Sequence, residues 1–175
     1  MPIDLEKFKP AYEKWVAESL PDYRAGNMTE IVKKYPFISP DDIPWTPYQG
    51  QPSDQTFALV TSGGLYLKVS QPPFDTESIH GDTSFREIPR TVRQQDIGIA
   101  HAHYDHSLAE QDINTIFPIQ RFIELENEAI IGKLADTHYS FSYVNDVATF
   151  VTETVPEVIS RIKSAGVEVL FLVPV

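Results

Sequence analysis

TFALVTSGG, Thr56–Gly64, is the stretch on which the fold turns. Thr56 to Val60 form a short apolar, β-branched run, and Thr61, Ser62, Gly63 and Gly64 stop it. That pattern reads as a buried strand delivered into a tight turn. A second apolar run, Val167–Val173, reads as another buried strand. Asp96–His103 alternates apolar and small residues and reads as a third. Between the strands lie helical patterns. Asn114–Ile130 places Ile116, Ile119, Phe122, Ile123 and Leu125 on one face. Val144–Ala165 follows with Pro156 inside it, and Gly166 suits the residue just past a helix end. Short apolar strands alternating with helices predict an α/β protein with an open, mostly parallel sheet, layered between helices in the Rossmann-like or flavodoxin-like manner.

Outward from this core the chain changes character. Residues 70–95 are polar and proline-bearing and read as a long loop; a loop of that length in a compact domain is commonly functional. Upstream, residues 36–54 carry Pro36, Pro40, Pro44, Pro47 and Pro52, which forbid a central strand. Phe37, Ile43, Trp45 and Tyr48 give this strap apolar surface to bury. Residues 5–19 read as a helix with Leu5, Phe8, Tyr12, Trp15 and Val16 near a 3.6 period and Pro10 interrupting its start. Thr29–Tyr35 reads as a second helix capped by Asn27. The organisation expected is an N-terminal helical segment and strap, residues 1–55, packed on one α/β domain, residues 56–175.

Composition bounds the function. The 175 residues suit one domain with a core of its own. With 14 Lys and Arg against 25 Asp and Glu, the formal charge is −11. Phosphate backbones and anionic membranes demand clustered cations, so neither nucleic acid nor membrane is an expected partner. The N-terminus lacks an apolar targeting segment and the longest apolar run is too short to span a bilayer, which predicts a cytoplasmic protein. There is no cysteine. A disulfide, a thiolate metal ligand and a thiol nucleophile are therefore excluded within these residues.

Three segments carry chemistry. His101, His103, Asp105 and His106 stand within six residues, in the spacing H-x-H-x-D-H. On a strand, His101 and His103 project to one side, and a following turn returns Asp105 and His106 to them. Imidazoles and a carboxylate so gathered would suit Zn²⁺ or a similar ion, with His101, His103 and His106 as ligands. The same spacing occurs in metallo-β-lactamase-like hydrolases. Those enzymes draw later ligands from downstream segments, and only His138 follows here. The plain alternative is a histidine-rich loop that bonds to backbone and carboxylates. The second segment is the turn Thr61–Gly64, where small residues let a ligand approach and free amides can hold an anion; an ordinary tight turn is the alternative. The third is Gly81–Pro89, GDTSFREIP, which is either solvated or folded over a site.

Taken in order, these stretches resemble a known family. ALVTSGGLYL (Ala58–Leu67), QPPFD (Gln71–Asp75), GDTSFREIP (Gly81–Pro89), IAHAHYDH (Ile99–His106), DINTIFPI (Asp112–Ile119), IGKLA (Ile131–Ala135) and HYSF (His138–Phe141) are similar to the selenoprotein B component of glycine, sarcosine, betaine and D-proline reductases, in its short-chain branch. The resemblance implies an oxidoreductase that acts reductively on a small amino acid or an N-methyl derivative. It implies partner subunits or a homodimer. It also implies a selenocysteine or cysteine just after a strand like LFLVPV (Leu170–Val175), hence beyond Val175, where UGA read as a terminator would end the chain. On this reading His101, His103, Asp105 and His106 are the catalytic candidates. Thr61, Ser62, Gly63, Gly64, Arg86 and Asn114 are the substrate-side candidates. Two alternatives stay open: a metal-dependent hydrolase built on the histidines, and a non-catalytic relative that binds a small molecule or a partner through Trp15, Tyr23, Tyr35, Phe37, Trp45 and Tyr48.

Overall fold

A computed structural model of the protein describes residues 6, 9–36 and 47–175. The chain divides into two compact units, Met1–Tyr48 and Gln49–Val175. In the first, helix α1 (Lys9–Arg24) is followed by α2 (Met28–Lys33). Pro10 falls in the first turn of α1, where a missing N–H costs nothing, and Pro21 lies inside it. Trp15 Nε1 donates to the Ile31 carbonyl at 3.0 Å. The Tyr35 ring meets Tyr12 and Trp15 edge-on at 5.6 and 5.0 Å. These three aromatics pack together, whereas Tyr23 and Tyr48 are exposed. Asn27 precedes α2 without a capping side-chain bond. Phe37, Ile43 and Trp45 of the strap lie outside the described residues.

The second unit is α/β, as the alternation of elements predicts. Strand β1 (Thr56–Thr61) is central. It pairs in parallel with β5 (Lys133–Leu134) and β6 (Thr137–Ser140) along one edge and with β7 (Val169–Val173) along the other. Strand β3 (Arg86–Pro89) adds to β6 antiparallel. A separate ribbon joins β2 (Leu65–Leu67) to β4 (Ile97–Ile99). The expected long loop, residues 70–95, therefore contributes a strand. Its pairing partner is 48 to 54 positions away in sequence, so local pattern could not reveal it.

Helices cover the two faces in turn. Between β1 and β6 run α3 (Ser107–Gln111) and α4 (Ile119–Asn127). Phe122 of α4 packs on Phe57 and on Phe171, at 6.2 and 5.0 Å between ring centres. Between β6 and β7 run α5 (Val147–Thr149), a π-helical turn at Phe150–Thr154, and α6 (Val155–Ser164). Val158 and Ile162 of α6 pack with Val60 and Tyr139. Successive side chains of a strand point to opposite faces. Phe57, Leu59 and Phe171 thus face α4, while Val60, Leu170 and Leu172 face α6.

Three expectations shift in the structure. The helix expected at 114–130 is shorter, because Pro118 ends a 3₁₀ turn at Ile113–Thr115 before α4 begins. The helix at 144–165 is interrupted by the π-turn, and Pro156 sits in the first turn of the segment that follows. Gly166, at φ 69°, ends it as expected. Among the described residues, the buried strand expected at 167–173 is an edge strand, with Leu170, Phe171 and Leu172 exposed by 40, 45 and 65%. Among the described residues no helix is long and apolar enough to cross a membrane.

Candidate functional site

The turn after β1 gathers the carboxyl ends of several strands. Ser62 donates its N–H to the Val173 carbonyl at 3.2 Å, and Ser62 Oγ accepts from Val175 N–H at 2.9 Å. Phe141, just past β6, donates to the Thr61 carbonyl and accepts from Gly64 N–H, at 2.8 and 2.7 Å. Ala100, just past β4, donates to the Gly64 carbonyl at 2.8 Å. Ser142 Oγ donates to the Ala100 carbonyl at 2.8 Å. In open parallel sheets ligands bind outside such carboxyl ends.

Gly64 makes the convergence sterically feasible. Its φ is 70°, and a Cβ there would stand 2.4 Å from the Ala100 carbonyl oxygen. Only glycine meets both demands. Gly63 donates its N–H to Thr61 Oγ1 at 3.1 Å, and Thr61 is buried. The amides of Ser62, Gly63 and Gly64 are all spent internally, so the turn acts as a hub between strand ends and presents no free amide of these three to an anion.

The histidines follow β4 rather than lie on it. β4 ends at Ile99, so the one-sided projection of His101 and His103 expected for a strand does not apply. The segment folds into a turn in which Nδ1 of buried His101 accepts from His103 N–H at 3.2 Å. That bond puts the proton of neutral His101 on Nε2. Nε2 of His106 meets the His101 carbonyl at 2.7 Å, so it carries the donated proton and leaves Nδ1 as an acceptor. Burial, together with the neighbouring His103 and His106, holds the His101 pKa below the ordinary imidazole value. Asp105 accepts from Ser107 N–H at 2.9 Å and serves the entry to α3. Among the described residues no group of three or more His, Asp or Glu side chains is disposed to hold a metal ion.

Two tyrosines complete the cluster. Tyr104 Oη donates to the Gly63 carbonyl at 2.9 Å, and burial pushes its pKa up to about 12. Its ring lies 5.0 Å from His101 and 4.5 Å from His106. The Tyr143 ring lies 4.2 Å from exposed His103. Tyr143 also ties in the polar loop, since its carbonyl accepts from Asp82 N–H at 3.0 Å and Gly81 bridges to Val144. Sequence reasoning passed over Tyr143. The only local signal was an aromatic two residues beyond the HYSF stretch.

Arg86 and Asn114 stand apart from this cluster. Buried Arg86 donates to the Pro72, Pro73 and Phe85 carbonyls and to Ser84 Oγ, and its guanidinium lies 4.1 Å from the Phe74 ring centre. It clasps the QPPF stretch to β3. Asn114 bonds Asp112 and accepts from Gln120 N–H, which orders the entry to α4. None of these bonds reaches the histidines.

An α/β domain with a strand-end hub walled by histidine and tyrosine defines the class. Residues 27–174 match the model of the glycine/sarcosine/betaine reductase selenoprotein B family, and the chain belongs to that family. It is 34% identical over 136 residues to the D-proline reductase subunit gamma of Acetoanaerobium sticklandii, covering 77% of this chain and 54% of that one. It is 31% identical over 109 residues to the glycine reductase complex component B subunit gamma of Symbiobacterium thermophilum, covering 61% and 25%. The subunit of that name from Carboxydothermus hydrogenoformans is 28% identical over 134 residues, covering 75% and 31%. The chain thus spans about half the length of the first relative and a quarter to a third of the others. No solved structure matches it.

Proposed function

We propose that this chain forms the substrate-facing wall of a selenoprotein-B-type reductase subunit, acting with partner subunits on a small amino acid or an N-methylated derivative. The observation that carries the reading is the convergence at Thr61–Gly64. The end of β7 abuts Ser62 on one side of the turn, and Gly64 abuts Ala100 and the histidine cluster on the other. A selenol or thiol supplied by polypeptide beyond Val175 would arrive at the carboxyl end of the sheet. The histidine cluster would meet it there with His101 Nε2–H as donor and His106 Nδ1 as acceptor. A donor beside a selenol or thiol lowers its pKa, and an acceptor can relay its proton.

The test is to read the native gene past Val175 and express the longest open frame, decoding any UGA as selenocysteine or cysteine. That product is expected to reduce one of glycine, sarcosine, betaine or D-proline when a dithiol and the partner subunits are supplied. The 175-residue chain is expected to be inactive. Turnover by the 175-residue chain alone, or an open frame that adds no cysteine or selenocysteine, would overturn the reading.

A further inference from the structure

Strand β7 is unfinished on three sides. Among the described residues it pairs only with β1, so its outer edge offers alternate N–H and C=O groups without strand partners. Phe171 is half exposed on the α4 face. On the α6 face an apolar groove of about 540 Å³ runs between the helix and the strand, lined by Val60, Phe141, Phe150, Ile159, Leu170 and Leu172. Ile159 is 43% exposed in it. Parallel strands are ordinarily covered on both faces, and a bare apolar edge invites pairing.

The direction of the chain says what fits. The connection from β1 to β6 crosses the face of Phe57 and Leu59, and the return from β6 past β1 to β7 crosses the face of Val60. Reversing direction while keeping one crossover hand demands that switch of faces. A further parallel strand outside β7 would continue in the direction of the last crossover. Its connecting helix would therefore lie on the α6 face, over Leu170 and Leu172, which is where the groove is.

We propose that the groove beside α6 and the free edge of β7 seat one more helix–strand unit: an amphipathic helix in the groove and a parallel strand on β7, supplied by polypeptide following residue 175. The inference rests on reading this chain as part of a longer reductase subunit. The relatives are longer than the stretch they share with this chain, which occupies 54, 25 and 31% of their lengths. A second copy of this chain is the competing occupant. It would pair β7 edges across a two-fold axis and make a dimer of the 175-residue chain.

The experiment compares the 175-residue chain with the product of the longest native frame, with any selenocysteine or cysteine of that frame replaced by serine so that packing is read without activity. Hydrogen exchange at the β7 amides is measured in both, alongside oligomeric state. In the 175-residue chain the outward β7 amides are expected to exchange freely, and in the longer product about 100-fold more slowly. Leu172→Gln is expected to leave the melting temperature of the shorter chain nearly unchanged and to lower that of the longer one clearly. Equal β7 exchange in both forms, a β7 already protected in a dimer of the shorter chain, or a frame that closes at residue 175 would overturn the proposal. Protection of β7 in the serine form, with no reductase activity from the same frame carrying its selenocysteine or cysteine, would sink the functional reading and leave this one standing. Activity of the unsubstituted longer product, with β7 unprotected in the serine form, would do the reverse.

Discussion

His138 provides the sharpest test of the core. It is fully buried on β6, and its Nδ1 accepts the Leu59 N–H at 3.0 Å. That bond fixes the ring proton on Nε2, which has no hydrogen-bond partner, while the ring meets Phe117 edge-on at 5.8 Å. Burial first, and then the charge of Arg90, pushes its pKa down to about 4 from the ordinary 6.5. A histidine with a depressed folded-state pKa contributes its full stability above pH 6.5 and loses it as pH falls towards 4, because the unfolded chain takes up the proton first. At about 1.4 kcal/mol per unit, the loss across that window is about 3 kcal/mol. His138→Asn keeps an oxygen in reach of Leu59 N–H and removes the titration. It should cost about 1–2 kcal/mol at pH 7 through lost ring packing. Urea unfolding followed by far-UV circular dichroism at pH 7.0, 6.0, 5.0 and 4.5 gives the comparison. The deficit of the variant should shrink as pH falls and reverse between about pH 6 and pH 5. Parallel loss of stability in both proteins would refute a neutral, desolvated His138.

Further outcomes follow from the hub and its surroundings. Gly64→Ala sets a Cβ against the Ala100 carbonyl at a positive φ, and should destabilise by about 2–4 kcal/mol in thermal unfolding; a change under about 0.5 kcal/mol would remove the close approach from the account. Arg86→Met strands the carbonyls of Pro72 and Pro73, so it should cost about 2–4 kcal/mol and open residues 71–85 to limited proteolysis. Unchanged stability with lost substrate binding would instead make Arg86 a substrate contact. In an active longer subunit, His106→Ala should lower kcat about 10–100-fold and alter the pH profile, with little change in melting temperature. Loss of stability without a change in the pH profile would reduce His106 to a brace for the turn.

Local pattern carried the α/β class, the central strand and the turn that ends it. TFALVTSGG is apolar where both faces of β1 are covered and small where strand ends crowd together, so its composition reports its surroundings. The helix over α4 was legible through Phe122 and Ile119, although Pro118 moved its start. Strand β3 was not legible. Arg86–Pro89 is polar and ends in proline, and it becomes a strand only because β6 offers an antiparallel edge. The site divides the same way. His101, His103 and His106 announced themselves by spacing, but their tautomers depend on which backbone groups the turn brings to them.

The sequence by itself determined that no thiol acts from within these residues, that an α/β sheet forms, and that seven ordered stretches resemble one reductase family. Only the tertiary structure decided what those stretches do together. It spent the amides of Ser62, Gly63 and Gly64 on neighbouring elements and turned Arg86 into a clasp. It also left the apolar strand Val169–Val173 at an edge with its faces partly bare. The physical reason is that an apolar run specifies a need for cover, and the partner that supplies the cover is set by chain crossings between residues far apart in sequence.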